Sequence, residues 1–343
     1  MGTSALAVAA FRLPSESGMI QQFSHALGWV LLTLAILAMA ALIALNLRHR
    51  TPRRELWEEI RSAQRGPAYA AIPGAMLTLV LAFESAQPLL AVDRTATWLL
   101  LAFILIAGFV DLFLTLVFFA AAIARRGALE TDALSGLWFM PQTVLLLTAT
   151  ALARLCQAPN PAVTEIAAPL AVLFLGAGFM LFILIAALVL ARLVLDAFDA
   201  AAGIPAAWIM MSPAAAAALA FMAIPRVTPA LLSSPPLSVS FVTSLFAGAL
   251  VGFSLWWLAV VVLLTFRLRS DAISFSPASW SYVFPIAAVA VASGELAHTW
   301  NSRLMILVAV IMATVAALVW LGVLIASAGW LRARLSGPQT TAQ

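Results

Sequence analysis

The stretch SWSYVFPIAAVAVAS, residues 279–293, places Pro285 inside an otherwise apolar run. Three earlier apolar runs repeat this arrangement, with prolines at Pro73, Pro141 and Pro213. The four prolines lie 68, 72 and 72 residues apart. Proline removes a backbone donor and clashes with the preceding turn, so each one breaks a helix locally. The spacing therefore predicts one structural unit that recurs along the chain with a helix breaker in every copy.

Composition indicates that this unit spans a membrane. Of 343 residues, 64% are hydrophobic and only 9% are charged, whereas a soluble domain has about 25% charged residues. A helix needs roughly 20 apolar residues to cross a bilayer. Nine runs meet that length, at about 26–47, 69–90, 96–124, 134–155, 166–195, 205–224, 238–266, 280–297 and 303–331.

A shorter apolar segment precedes them. It runs from Gly2 to Phe11, and Gly2 lies 71 residues before Pro73, which fits the proline period. We interpret this segment as the first of ten spans, and we expect its natural beginning to lie upstream of Met1. The repeat then occurs five times, each copy being a hairpin of two helices.

The breakers fall only in odd-numbered spans, and the interiors of even-numbered spans are expected to contain none. Lipid cannot satisfy the carbonyl groups that a broken helix frees, so broken helices belong inside the protein. We predict an all-α polytopic membrane protein with ten transmembrane helices as five repeated hairpins. An inner ring of kinked odd helices would surround a central pore, and even helices would form an outer ring. The alternative is that the spacing reflects hairpin length alone.

Residues beside the breakers are the candidates for lining this pore. Most are apolar, a few carry hydroxyl groups, one is an amide, and none is charged. They are Gly2, Thr3, Ser4, Ile72, Pro73, Met140, Pro141, Gln142, Ser212, Pro213 and Pro285. Phe284 directly precedes a breaker and is the candidate gate, because an aromatic ring can control the wetting of a narrow pore. Plain packing is the alternative role for Phe284.

Ionisable side chains inside membrane spans are functional candidates by default. Asp111 lies near the middle of the fourth span, and Glu84 lies near the outer end of the third. Both are possible coupling sites for protons. Glu295, His298 and Arg303 are expected to cluster near the outer mouth.

Arginine sets the expected orientation. All 18 basic residues are arginines; 13 lie in the C-terminal tail and the loops after even spans, and five lie on the opposite side. Basic residues favour the cytoplasmic side, so both termini are predicted to be cytoplasmic, in a multi-pass protein of the inner cell membrane. We expect residues 1–343 to form a single transmembrane domain, with an amphipathic cytoplasmic loop at 48–68 and a disordered tail at 333–343.

Other classes of function lack their signatures. The absence of lysine argues against a phosphate-binding loop, and the three histidines lie far apart in sequence. The single Cys156 excludes an intramolecular disulfide and any site with several cysteines. We therefore expect no enzyme activity, no metal, no cofactor and no nucleic-acid partner. A membrane-embedded enzyme would need ionisable groups that converge at one depth.

Five segments resemble a known family. They are MGTSALA at Met1, WFMPQTV at Trp138, IMMSPAA at Ile209, WWLAVVVLLTFRLR at Trp256 and SWSYVFPIAAVAVAS at Ser279. In this order they resemble the tellurite-resistance/dicarboxylate transporter family, which includes plant slow anion channels, a yeast malate permease and a fungal sulfite pump. The resemblance covers essentially the whole chain.

The resemblance implies a ten-helix fold and a homotrimer with a separate pore in each subunit. It also implies that Phe284 is a gate, and that the permeant species are anions such as chloride, nitrate, malate or sulfite. Gln142 and Ser4 depart from the family pattern, which often has proline and glycine there.

Two functions remain open at this point. The first is a passive, gated anion channel or organic-anion permease, with small inorganic or organic anions and the lipid bilayer as partners. The alternative is a proton-coupled C4-dicarboxylate transporter for malate or succinate, or an efflux protein for sulfite or tellurite. That alternative would use Asp111 or Glu84 for coupling, because coupled transport usually needs an intramembrane carboxylate.

Overall fold

The computed structural model describes eight stretches of the chain, and helices make up nearly all of each. The described residues are 1–13, 18–48, 52–87, 93–124, 134–195, 200–233, 238–267 and 275–336. No strand occurs in these stretches, so the predicted all-α class is confirmed for them.

The α-helices of the described residues are numbered here in chain order. They are α1 (Gly2–Phe11), α2 (Gly18–Arg48), α3 (Arg53–Ile60), α4 (Ala71–Ala86), α5 (Arg94–Ile123), α6 (Met140–Leu155), α7 (Pro161–Leu195), α8 (Ala200–Ile209), α9 (Met211–Leu231), α10 (Val239–Arg267), α11 (Val283–Trp300) and α12 (Arg303–Ser336). Short 3-10 helices lead into α4, α6 and α11, at Gly66–Ala70, Gly136–Phe139 and Pro277–Tyr282.

Nine helical segments in the described part are long and apolar enough to cross a membrane. They are Gly18–Leu45, Gly66–Ala86, Arg94–Ile123, Gly136–Leu155, Pro161–Leu195, Ile204–Leu231, Val239–Arg267, Pro277–Trp300 and Arg303–Arg332. The nine long spans predicted from the sequence are thus confirmed, with ends that differ by up to eight residues. The largest difference is at the start of α2, where polar residues such as Gln21 and His25 lower the local hydropathy although the helix continues through them.

Burial divides these helices into two classes. In the four segments that hold the proline breakers, between 56% and 89% of the apolar stretch is buried. In the other five, only 17% to 33% is buried, and many leucine and isoleucine side chains face outward. The short α1 belongs to the buried class, because every residue from Ser4 to Phe11 is buried. Apolar side chains on an outer surface are the expected complement to lipid.

The buried helices form a closed circuit of contacts. α1 packs against α4, α4 against α6, α6 against α9, α9 against α11, and α11 against α1. We call α1, α4, α6, α9 and α11 the inner ring. The less buried helices pack on its outside, for example α2 on α1, α7 on α6 and α12 on α11.

The sequence predicts that the proline breakers kink continuous helices, but the structure shows no such kinks at these prolines. Pro73, Pro141, Pro213 and Pro285 each stand in the first turn of an inner-ring helix, after a 3-10 helix or the short α8. A proline in the first turn costs no helical hydrogen bond. Each of these prolines therefore stands at the start of an inner-ring α-helix and does not kink it. The prediction that even spans contain no interior proline is wrong: Pro169 lies inside α7, which begins earlier than expected.

The expected amphipathic loop at 48–68 contains α3. Ile60 and Ala63 are buried, and the ring of Trp57 contacts Phe113 edge-on with 6.2 Å between centroids. At the other end of the chain, α12 continues to Ser336, into the segment 333–343 that was expected to be disordered. The rest of that segment, 337–343, lies outside the described residues.

Candidate functional site

A small, partly open cavity lies between the five helices of the inner ring. Its volume is about 20 Å³, and every helix of the ring contributes to its wall. We call it the axial cavity. Its lining residues are Ala5, Val8, Thr78, Leu81, Leu147, Thr150, Arg154, Leu219, Phe284, Ala288 and Val291.

Phe284 lines the axial cavity next to the breaker Pro285. It is the second residue of α11, it is buried, and its side chain is the largest apolar one in the lining. Gly2 packs directly behind it: a Cβ added there would lie 3.0 Å from Cβ of Val283. The aromatic ring thus occupies a position where five helices leave little free space.

Of the residues predicted to line the pore, Phe284 alone lines the axial cavity. Ile72 is 58% exposed, although it directly precedes a breaker just as Phe284 does. Ser4 instead bonds Thr78, with 2.7 Å between the two hydroxyl oxygens, and Thr3 accepts a hydrogen bond from the indole of Trp320. Apart from Phe284, the lining residues lie one to four helical turns beyond the breakers, so the other residues beside the breakers are at a different depth from the cavity.

The other candidates beside the breakers are placed as follows. Gln142 and Ser212 are buried, and their side chains have no hydrogen-bond partner. Gly2, Pro73, Met140, Pro141, Pro213 and Pro285 are buried or half-buried outside the cavity wall.

A ring of ionisable side chains lies at the far end of the same five helices. Each inner-ring helix contributes one member at or near its C-terminal end, and the members recur at intervals of 69 to 72 residues. We call these five residues the charged ring: Arg12, Glu84, Arg154, Arg226 and Glu295.

Glu295 pairs with three other members of the charged ring. Its Oε1 accepts a hydrogen bond from Nη2 of Arg154 at 3.1 Å and also pairs with Nη1 of Arg12. Its Oε2 lies 3.7 Å from Nη2 of Arg226. Nε of Arg12 donates to the hydroxyl of Ser85, which neighbours Glu84. One carboxylate therefore joins the ends of four helices of the ring.

Arg154 reaches from the charged ring into the axial cavity. Its side chain is only 4% exposed, and it is the single charged residue of the lining. Nε and Nη1 have no hydrogen-bond partner. Phe284 and Glu295 are 11 residues apart on α11, so the two ends of the cavity region are separated by about 16 Å of helix.

Glu84 is the least satisfied member of the charged ring. It is buried, and neither carboxylate oxygen has a hydrogen-bond partner. The charges that act on it are those of Arg154, Arg12 and Arg226. Burial opposes its charged form, and the three guanidinium groups favour it.

Sequence reasoning did not find most of this ring. Arg12, Arg154 and Arg226 were interpreted as loop residues that set the orientation of the chain. The expected cluster of Glu295 with His298 and Arg303 does not form, because both partners are exposed and Glu295 pairs elsewhere. The members of the charged ring recur with the same period of about 70 residues as the prolines. This period is the sequence signal that could have identified the ring.

Asp111 lies away from the axial cavity. It is fully buried on α5, and its oxygens have no hydrogen-bond partner. Gly108, one turn earlier on α5, packs so closely on Thr148 of α6 that a Cβ would lie 2.5 Å from its methyl carbon. Asp111 therefore belongs to the contact between an outer helix and the inner ring.

No cluster of metal ligands is present among the described residues, where no three His, Cys, Asp or Glu side chains lie together. Cys156, just after α6, donates to the carbonyl of Leu152. Burial raises the pKa of its thiol to about 11. Its role in the structure is packing.

The family model described as "voltage-dependent anion channel", SLAC1, matches residues 1–328. An uncharacterized transporter of Methanocaldococcus jannaschii is 27% identical over 124 residues, which is 36% of this chain. The match spans about a third, 34%, of that relative's length.

Proposed function

Because the chain belongs to the SLAC1 family of anion channels and transporters, we propose that it is a passive, gated channel or permease for small inorganic or organic anions. The observation that carries this proposal is the axial cavity, which all five inner-ring helices and the side chain of Phe284 line. In this proposal the ten helices form five hairpins, and the conduction path runs along the axis of the inner ring.

The size of the axial cavity supports a closed state. A volume of about 20 Å³ is close to the 10–15 Å³ that a single water molecule needs, and no nitrate or malate ion fits into it. The wall near Phe284 is apolar, with Ala5, Ala288 and Leu147 around it. An apolar constriction blocks ions by excluding water. Conduction therefore requires the ring of Phe284 to move aside.

The charge at the other end of the path favours anions. The charged ring holds three arginines and two glutamates, which gives +1 with all five ionised. Low-dielectric walls focus such a field along a narrow path and raise the local concentration of counter-ions. In this proposal Arg154 brings one charge to the wall of the conduction path, although no charged residue lies beside a breaker.

Orientation follows from the remaining arginines. Three of the five arginines on the side opposite the predicted cytoplasm belong to the charged ring. That leaves Arg94 and Arg303 outside the ring on that side, against 13 arginines on the other side. The positive-inside bias thereby becomes stronger, and it supports cytoplasmic termini and an inner-membrane location. A homotrimer with one pore per subunit is proposed on the family resemblance.

A second function is favoured by two buried carboxyl groups. Glu84 and Asp111 have no hydrogen-bond partner for their oxygens, and intramembrane carboxyl groups of this kind act as proton relays in coupled transporters. The alternative is a proton-coupled transporter of C4-dicarboxylates such as malate or succinate, or an efflux protein for sulfite or tellurite. Glu84 is the better placed of the two, because it belongs to a helix of the inner ring.

The deciding experiment is anion flux into proteoliposomes, measured for the wild type and Phe284→Ala with chloride, nitrate, sulfite and malate. We expect Phe284→Ala to raise a non-saturating flux that does not depend on a pH gradient. The control is Phe241→Ala, which removes the same ring from a side chain that is 65% exposed on α10. Equal flux in Phe284→Ala and wild type, with normal folding, would exclude the gate. Saturable malate flux that follows the pH gradient would favour the coupled transporter.

A further inference from the structure

We propose that a pocket on the outside of the inner ring binds the phosphate group of a phospholipid, and that Arg226 is the cation that balances the phosphate charge. We call it the lateral pocket. It lies at the charged-ring end of the helices, between α9, α10 and α11. It shares no lining residue with the axial cavity, so its assignment is independent of the proposed function.

The lateral pocket is large enough for a lipid headgroup. Its volume is about 480 Å³, which is more than twenty times that of the axial cavity. Pockets that bind small molecules typically have volumes of about 300–1,000 Å³. A single inorganic ion would leave most of this space empty, whereas a headgroup with its glycerol would fill it.

Arg226 supplies the positive charge of the pocket. Its side chain is 24% exposed, and Nη1 donates to the carbonyl oxygen of Met222, one turn earlier on α9, at 3.2 Å. Nη2 lies 3.7 Å from Oε2 of Glu295, which is too long for a hydrogen bond. A guanidinium group carries five N–H donors, so most of those on Arg226 have no acceptor in the described part of the chain.

The charged ring can spare this guanidinium group. Two others, those of Arg12 and Arg154, already pair with Oε1 of Glu295. Glu295 therefore keeps two basic partners when Arg226 turns to a ligand in the lateral pocket. Arg226 is also the more accessible cation, because the side chain of Arg154 is only 4% exposed.

The other polar groups of the lining suit a phosphodiester. The hydroxyl groups of Thr243 and Thr299 donate to carbonyl groups of their own helices, whereas that of Ser240 bonds no other described residue. No acidic residue occurs among the described residues of the lining. A phosphodiester carries one negative charge, which one guanidinium compensates, and arginine often binds two phosphate oxygens at once.

The face of α10 beside the pocket indicates that the phosphate belongs to a lipid. Phe241, Val242 and Leu245 are large apolar side chains, and all three are exposed. Phe241 and Val242 lie between Ser240 and Thr243, which line the pocket. Acyl chains can therefore pack along this face while the headgroup attached to them reaches Arg226.

Trp300 indicates the depth of the pocket in the membrane. It directly follows Thr299, its ring is exposed, and its Nε1 donates to the hydroxyl of Ser244 on α10 at 3.0 Å. Tryptophan is enriched where the hydrocarbon core meets the headgroup layer, and basic pockets between membrane helices bind lipid headgroups. The lateral pocket therefore lies at the depth of lipid phosphate groups.

The test is binding of three matched ligands to delipidated protein in detergent, measured by native mass spectrometry. They are phosphatidylglycerol, diacylglycerol with the same acyl chains but no phosphate, and glycerophosphoglycerol, which is the same headgroup without acyl chains. We expect phosphatidylglycerol to bind at least about tenfold more tightly than either of the others. Equal binding of diacylglycerol would overturn the phosphate site, and equal binding of glycerophosphoglycerol would overturn the lipid as its source.

Two variants locate the binding. Arg226→Gln should weaken phosphatidylglycerol binding at least about tenfold. Its control is Arg303→Gln, which removes an exposed arginine at the same end of the helices and should bind as wild type. Ser240→Trp should block the pocket while it leaves the charged ring intact, and its control is Ser233→Trp at an exposed serine outside the lining.

Either variant can overturn the proposal. Phosphatidylglycerol binding that is unchanged in Arg226→Gln would exclude Arg226 as the binding cation. If Arg226→Gln does not fold, Ser240→Trp decides, because unchanged binding in that variant would place the lipid elsewhere. Binding is measured without transport, so a protein that conducts no anion would contradict the proposed function and leave this result unaffected.

Discussion

Arg154 on α6 donates a 3.1 Å hydrogen bond to Glu295 on α11, a residue 141 positions later in the chain. The same carboxylate also pairs with Arg12 and Arg226, so four helices of the inner ring meet at one acidic group. A buried charge that loses its partner is strongly unfavourable, because no water replaces it. This pairing therefore contributes to the stability of the ring as well as to the charge of the path.

Glu295→Gln is expected to destabilise the protein by about 3 kcal/mol, because it leaves the buried Arg154 without a charged partner. Thermal unfolding in detergent, followed by circular dichroism, would measure this. The matched control is Glu58→Gln, which removes the partner of Arg54 at an exposed i,i+4 pair worth at most about 0.5 kcal/mol. Equal melting temperatures for the two variants would contradict the structural role of Glu295.

Gly136→Ala is expected to prevent correct packing of the segment that leads into α6. A Cβ at residue 136 would lie 1.7 Å from the backbone oxygen of Ala206, and backbone cannot move aside as a flexible side chain can. Gly176→Ala is the control, since no atom lies within 4 Å of its added Cβ and alanine is favoured over glycine in helices by roughly 1 kcal/mol. Size-exclusion chromatography should give aggregated protein for the first and a monodisperse peak for the second.

Cys156 is expected to react slowly with maleimide at neutral pH, because burial raises its pKa to about 11 and only the thiolate reacts. The reaction rate should rise about tenfold per pH unit and continue to rise above pH 9. In a Cys156→Ala background, a cysteine at the exposed Ser233 should instead reach its maximal rate near the ordinary thiol pKa of about 8.5. A plateau at that same pH for Cys156 would mean that its thiol is solvated.

Orientation can be tested with a membrane-impermeant maleimide on intact spheroplasts, again in the Cys156→Ala background. Ser233→Cys, between α9 and α10, should be labelled from outside, whereas Gln64→Cys, after α3, should be labelled only once the membrane is permeabilised. Both positions are exposed in the structure, so a difference in labelling reports which side of the membrane each position faces. The reverse labelling pattern would place the arginine-rich loops outside and contradict the positive-inside argument.

The backbone plan could be predicted from the sequence because it depends on local rules. Apolar length identifies spans, and prolines at a fixed period identify which helices are broken. The first rule uses only neighbouring residues and gives the nine long spans, whereas the second compares positions about 70 residues apart. The same locality explains the error at Pro169, where the helix begins eight residues before the proline and includes it.

The site was harder to predict because it depends on which residues meet across the ring. Ile72 and Phe284 occupy equivalent places before a breaker, yet one is exposed and the other faces the axial cavity. The depth of the cavity is set by how five helices are placed relative to one another. Likewise, an arginine at the end of a span has the same local sequence context whether it meets water or a carboxylate.

The backbone of the inner ring repeats five times, but its charges do not. Following the contacts around the ring, the signs at Arg12, Glu84, Arg154, Arg226 and Glu295 are plus, minus, plus, plus and minus. Arg154 and Arg226 are thus the only two neighbouring members of the charged ring that are both basic. The positive side of the charged ring is therefore the side of α6 and α9, and along the proposed path an anion would be drawn to that wall instead of the centre. Five repeated units therefore share one architecture, while the sign of the charge at a single position differs from unit to unit.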